Sequence, residues 1–148
     1  MESRTFVPAF ISQECRDWHR WVQDEMDRRG MDREDYPRYK AVREELAAAS
    51  PPPRATLAQV ADHIEHVREA AGVDHIGIGS DFDGTVDLPD GLGDVSCYPA
   101  LFAELLDRGW SEDDCARVAG GNVLRVMRDA EAFSRDRSSR WASTAKAP

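Results

Sequence analysis

The sequence predicts part of an α/β fold whose sheet this chain does not complete. Three observations lead there. The stretch "VDHIGIGSD" (residues 73–81) reads as a strand made almost wholly of apolar residues and glycine, the composition of a strand buried on both faces of a parallel sheet. A well-formed amphipathic helix precedes it and an acidic loop follows it, the order of half a β/α unit. Six helical pieces surround that strand and one weak half-strand near the start, and two strands cannot cover so many apolar helix faces.

The bulk properties set limits. The chain has 148 residues, 41% hydrophobic and 32% charged, a single-domain length with globular composition. Its formal net charge of -9 speaks against nucleic acid as a partner, since phosphate binding needs a basic face. No apolar run approaches the ~20 residues that span a bilayer. "MESRTFVPAF" lacks the basic start and apolar core of a secretory signal, and no anchor signal is visible, so a soluble cytoplasmic protein without a membrane segment is expected. Cys15, Cys97 and Cys115 are widely spaced and odd in number, as reduced structural thiols would be.

Taken in order, "TFVPAFI" (residues 5–11) is apolar and β-prone but interrupted by Pro8, so a strand end running into a loop is expected. Ser12 can cap a helix over "QECRDWHRWVQDEMDRR", with Cys15, Trp18, Val22 and Met26 on one face and Gly30 as its stop. That helix is expected to be exposed, and His19 lies on it without a motif. "YPRYKAVREELAAA" is a second helical piece, and "SPPPR" breaks it. Thr56 and Gln59 have capping-box spacing before a helix whose apolar face is Leu57, Val60, Ile64, Val67 and Ala71, closed by Gly72. After the strand and its loop, "YPALFAELLDRG" has Pro99 in its first turn and Gly109 past its end. Ser111 caps the next helix, where Trp110 can staple onto Cys115. Asn122 is expected to cap "VLRVMRDAEAF". From Ser134 the sequence loses periodicity, and residues 134–148 are expected to be a disordered tail after a body spanning 1–133.

The candidate chemistry centres on "DFDGTV" (residues 81–86). A strand followed by DxDGT resembles haloacid-dehalogenase-type phosphatases, with Asp81 as nucleophile, Asp83 as acid/base and Mg²⁺ bound. That motif normally opens a domain, and only helices follow it here. His63 and His66 have an (i, i+3) spacing that can bind metal, and His75 begins the strand, yet surface or boundary positions account for all three. Gly77 and Gly79 do not make a GxGxxG phosphate cradle. In a strand they let neighbouring groups approach closely.

The same residues have a longer context. "TFVPAFIS", "GIGSDFDG", "PDGLGDVSCYP", "LLDRGWSEDD" and "AGGNVLRV", in this order and spacing, resemble the C-terminal part of the membrane (renal) dipeptidase family. The resemblance runs from about Thr5 to Phe133. It implies a C-terminal fragment of a (β/α)₈ TIM-type barrel: the end of strand 7, strand 8 and surrounding helices, with catalytic groups at the C-terminal ends of strands. It implies a dipeptide as substrate and two zinc ions as cofactor. By resemblance, Asp81 ends the eighth strand, faces the zinc-held water, orients it and carries its proton to the leaving amine. Asp83 and Gly84 shape the loop, Asp83 by accepting backbone N–H bonds. Phe10 takes the place of an aromatic near the substrate pocket. The family's zinc ligands and its arginine for the substrate carboxylate lie upstream of anything matched, so no metal ligand is expected in this chain. "MESR" also stands where the family has a mostly apolar seventh strand. A (β/α)₈ barrel needs ~250 residues, against 148 here. The expected function is thus that of a dipeptidase-like metallohydrolase, incomplete and inactive alone, the alternative being a non-catalytic remnant or interaction subunit. An unpaired strand edge and bare helix faces predict aggregation, dimerisation or another homo-oligomer, or a partly molten state.

Overall fold

The computed structural model describes residues 7–32, 34–84 and 87–144, with side chains through Arg137. Its helices are α1 (Pro8–Ile11), α2 (Gln13–Arg28), α3 (Tyr36–Ala49), α4 (Leu57–Ala71), α5 (Tyr98–Asp107), α6 (Glu112–Ala116) and α7 (Asn122–Thr144). Short 3₁₀ turns lie at Val73–His75 and Val95–Cys97, and a wide turn over Arg117–Gly121 joins α6 to α7.

Most helix boundaries follow the sequence signals. Ser12 accepts from Cys15 N at the start of α2, and beyond its end Gly30 takes φ +61°. Thr56 and Gln59 form the complete capping box of α4. Gly72 and Gly109 adopt φ +85° and +89°, left-handed conformations in which a side chain would be strained. Ser111 caps α6, and both ends of its staple, Trp110 and Cys115, are buried.

Four expectations are corrected. Residues 8–11 form a helical turn and not a strand end. Pro8 is buried at the first helical position, where its fixed φ and missing N–H suit a helix start; Thr5 and Phe6 lie outside the described residues. The expected strand opens instead as a 3₁₀ turn at Val73–His75. Residues 76–80 follow in irregular backbone, and among the described residues there is no β-ladder, only an isolated parallel bridge between Thr56 and Asp90. An extended segment becomes a strand only beside a second one, and none lies alongside among the described residues. Asn122 does not act as a cap. It has helical angles (φ -66°, ψ -42°), and its amide donates to Val73 O at 2.7 Å and Ile76 O at 2.9 Å. Lastly, α7 continues past Ser134 to Thr144. Its backbone bonds are local and need no apolar periodicity, and its Arg135–Glu131 pair at 3.7 Å is of the supporting (i, i+4) type.

Two apolar clusters organise the chain. One gathers Val60, Ala61 and Ile64 of α4, Ile76, Leu92, Leu101 and Leu105 of α5, Trp110, Cys115 and Val118. Within it Arg68 stacks over the Trp110 ring at 4.3 Å while pairing with Asp114 at 3.0 Å. The other joins Trp18, Val22 and Met26 of α2 to Leu46 of α3. Along α7, Val123, Leu124, Val126 and Met127 are exposed. Among the described residues no helix is long and apolar enough to cross a membrane.

Candidate active site around Asp81

The segment carrying Asp81 is fixed from beneath. Ile76 is buried and Ile78 packs on the larger cluster. Ile78 N donates to Val118 O at 3.3 Å, and the two Asn122 bonds hold the start of the segment. A Cβ on Gly77 would stand 3.2 Å from Val123 Cγ2, so glycine lets α7 approach this closely.

At Asp81 the backbone turns sharply. Asp81 has φ +57°, the only non-glycine positive φ among the described residues, a conformation that aspartate tolerates better than most residues. The turn closes with Gly84 N donating to Asp81 O at 2.9 Å. The Asp81 carboxylate lies over Gly84 where a Cβ would otherwise be: Cγ would be 2.8 Å and Oδ2 2.9 Å from that atom, with Oδ1 in closer contact still. Asp81 is exposed, so its carboxylate is presented to solvent at the edge of the cluster.

The flanking residues are held on both sides. Tyr98, at the start of α5, donates its hydroxyl to Ser80 Oγ at 2.9 Å, and its ring lies 5.7 Å from that of Phe82. Beyond residues 85–86, which are outside the described part, Asp87 pairs with Arg43 of α3 at 3.1 Å. Asp90 N donates to Ala55 O at 2.8 Å and Leu57 N to Asp90 O at 2.9 Å, while Arg54 pairs with the Asp90 carboxylate at 2.6 Å.

The other candidates are dispersed. Asp83 is exposed and, among the described residues, accepts no backbone N–H bond. Phe10 stands on α1, 46% exposed, and no hydrogen bond or ring contact among the described residues joins it to the Asp81 turn. His66 and His75 are exposed, whereas His63 is half-buried. Burial first, then the nearby His66 and Arg16 charges, lower the His63 pKa below the ordinary 6.5. His19 is half-buried and not on an open face. Burial first and then Arg43 lower its pKa from 6.5, with Asp87 acting oppositely. Among the described residues no three His, Cys, Asp or Glu side chains converge to hold a metal ion.

Sequence reasoning missed Tyr98, Asn122 and Arg43. Tyr98 was visible only as a helix-start residue before Pro99, and Asn122 only as a cap. Their partners lie 18 to 49 residues away, beyond the reach of spacing rules.

Comparison with known proteins adds a second line of findings. The family model described as "Membrane dipeptidase (Peptidase family M19)" matches residues 5–140. Dipeptidase aclJ of Aspergillus oryzae is 58% identical over 81 residues, covering 55% of this chain and 19% of that protein. Human Dipeptidase 3 is 51% identical over 77 residues, covering 52% of this chain and 16% of its own length. The chain therefore spans less than a fifth of either relative. The crystal structure of the probable dipeptidase PvdM from Pseudomonas aeruginosa matches with a TM-score of 0.63 at 24% identity, over 80% of this chain and 34% of that one, a likeness of fold.

Proposed function

Because this chain belongs to the membrane dipeptidase family, peptidase family M19, we propose that it carries the proton-transfer segment of a dipeptide-hydrolysing enzyme. In this reading Asp81 orients the attacking water, accepts its proton and passes it to the departing amine. A carboxylate suits both halves of that task, as acceptor of a water O–H and as brief carrier of the proton. The supporting observation is the placement of Asp81. It is exposed at the end of the Ile76–Ser80 segment, in a turn whose geometry is set by Gly84 and by contacts to both neighbours.

Zinc, which family membership implies, is not served by the described residues, since no ligand cluster is found among them. Its ligands are assigned to protein beyond the matched segment. The same assignment accounts for the unpaired segment at residues 76–80 and for the apolar groove of about 210 Å³ between it and α7, lined by Ile76, Gly77, Val123, Val126 and Met127. Further barrel strands would cover both.

A chimera tests this reading. Residues 5–140 replace the matching segment of a whole dipeptidase relative, and dipeptide hydrolysis is followed. The expected result is retained activity that falls about 10²–10⁴-fold on Asp81→Asn, the range of general acid–base catalysis. Hydrolysis unaffected by that substitution would remove Asp81 from the mechanism. The 148-residue chain by itself is expected not to hydrolyse dipeptides with added Zn²⁺, and turnover there would overturn the assignment of the metal ligands to other segments.

A further inference from the structure

We infer that Tyr98 is the positioning residue for Asp81, an inference that rests on the reading of Asp81 as the proton carrier. Tyr98 holds the residues on either side of Asp81. Its hydroxyl donates to Ser80 Oγ at 2.9 Å, and its ring lies 5.7 Å from the Phe82 ring at 40°. One side chain thus grips positions 80 and 82 while the residue between them sits at φ +57°. Release of Asp81 into the ordinary negative-φ region would rotate the peptide planes on both sides. Ser80 or Phe82 would then leave Tyr98.

Tyr98 is suited to this by its own anchorage. It opens α5, where Pro99 fixes the first turn, and Leu101 and Leu105 of the same helix are fully buried. The clamp therefore ties an exposed turn to a packed helix. Groups held by a rigid element keep the narrow geometry that proton transfer requires. Asp81 touches the reacting atoms in this scheme, and Tyr98 acts through it.

Tyr98→Phe in the full chain is the test, because it keeps the ring and removes only the hydroxyl. Hydrogen exchange of the Gly84 amide, which closes the Asp81 turn, is expected to quicken about tenfold. The amides of Ile64 and Leu105, in the packed helices, are expected to keep their wild-type rates. Tyr98→Leu, which also removes the ring contact, is expected to quicken Gly84 further. In the active chimera, Tyr98→Phe is expected to lower kcat about tenfold with KM unchanged, since misplacement of a proton carrier costs the chemical step and not binding. Unchanged Gly84 exchange, or an equal rise at Gly84 and Leu105, would overturn the clamp. So would a change in KM with kcat intact. If Asp81→Asn left hydrolysis untouched while Tyr98→Phe still freed Gly84 alone, the proton-carrier reading would fall and the clamp would stand.

Discussion

The cluster around Ile64, Leu101 and Leu105 takes side chains from α4, α5, α6, the segments between them and the turn that follows α6. The cluster around Met26 takes its buried side chains from α2 and α3 alone. The first is knit across long sequence separations, with the Asp81 turn resting on it. The second is a helical hairpin joined to the rest by a few contacts: Cys15 Sγ to Pro53 O at 3.2 Å, the half-exposed Arg43–Asp87 pair, and the packing of α1. Cooperativity follows shared contacts, so the two regions are expected to open as separate units.

The largest effects test that separation. Leu101→Ala removes a fully buried side chain and is expected to cost about 3 kcal/mol, from lost transfer energy and the cavity left behind. Urea unfolding measures the loss, and hydrogen exchange should quicken throughout α4, α5 and α6. Met26 is equally buried, yet Met26→Ala should release protection in α2 and α3 only. If Met26→Ala quickened exchange in α5 as much as in α2, the two clusters would be one cooperative unit and the comparison would fail.

The two regions also differ in how far the sequence revealed them. The helices of both were legible, because caps, stops and apolar faces are written locally: Ser12, Thr56 with Gln59, Gly72 and Ser111 each stand where the chain uses them. Membership of the dipeptidase family was legible too, and it chooses between the two readings of "DFDGTV" that the string alone left open. The conformation of residues 73–81 was not legible. "HIGIGSD" has a strand's composition, but a strand is a relation between two segments. The role of Asn122 escaped for a related reason. Asparagine before a helix satisfies a local capping rule, while its actual acceptors, Val73 O and Ile76 O, lie 49 and 46 residues away in the sequence.

A smaller effect on stability separates the turn from the cluster on which it rests. Gly84→Ala would place a methyl against the Asp81 carboxylate. That carboxylate is the free end of an exposed side chain, so it can swing aside, and the stability cost is expected to stay within about 0.5 kcal/mol. Activity of the chimera should fall all the same, because the displaced group is the one assigned the proton. A stability loss comparable to that of Leu101→Ala would mean that the turn is part of the core and not a device mounted on it.

The smallest effect concerns the join between the regions. His19 of α2 is half-buried near Arg43 and Asp87, and its pKa is lowered from 6.5, chiefly by burial and then by Arg43. The folded chain therefore favours the neutral imidazole, and between 6.5 and the lower folded value the unfolded chain binds more protons. The stability tied to this group is complete above pH 6.5 and is lost as pH falls through that window. His63 contributes with the same sign. Solvent screening of a half-exposed group keeps the effect small. Unfolding free energies of the wild type and His19→Gln, compared between pH 7.5 and 5, isolate it from the carboxylates common to both. The wild type should lose more stability on acidification. Asp87→Asn should steepen that loss, since the Asp87 charge is what partly favours protonated His19 across the join. Parallel pH curves for all three proteins would show that the hairpin and the Asp81 loop do not communicate through this contact.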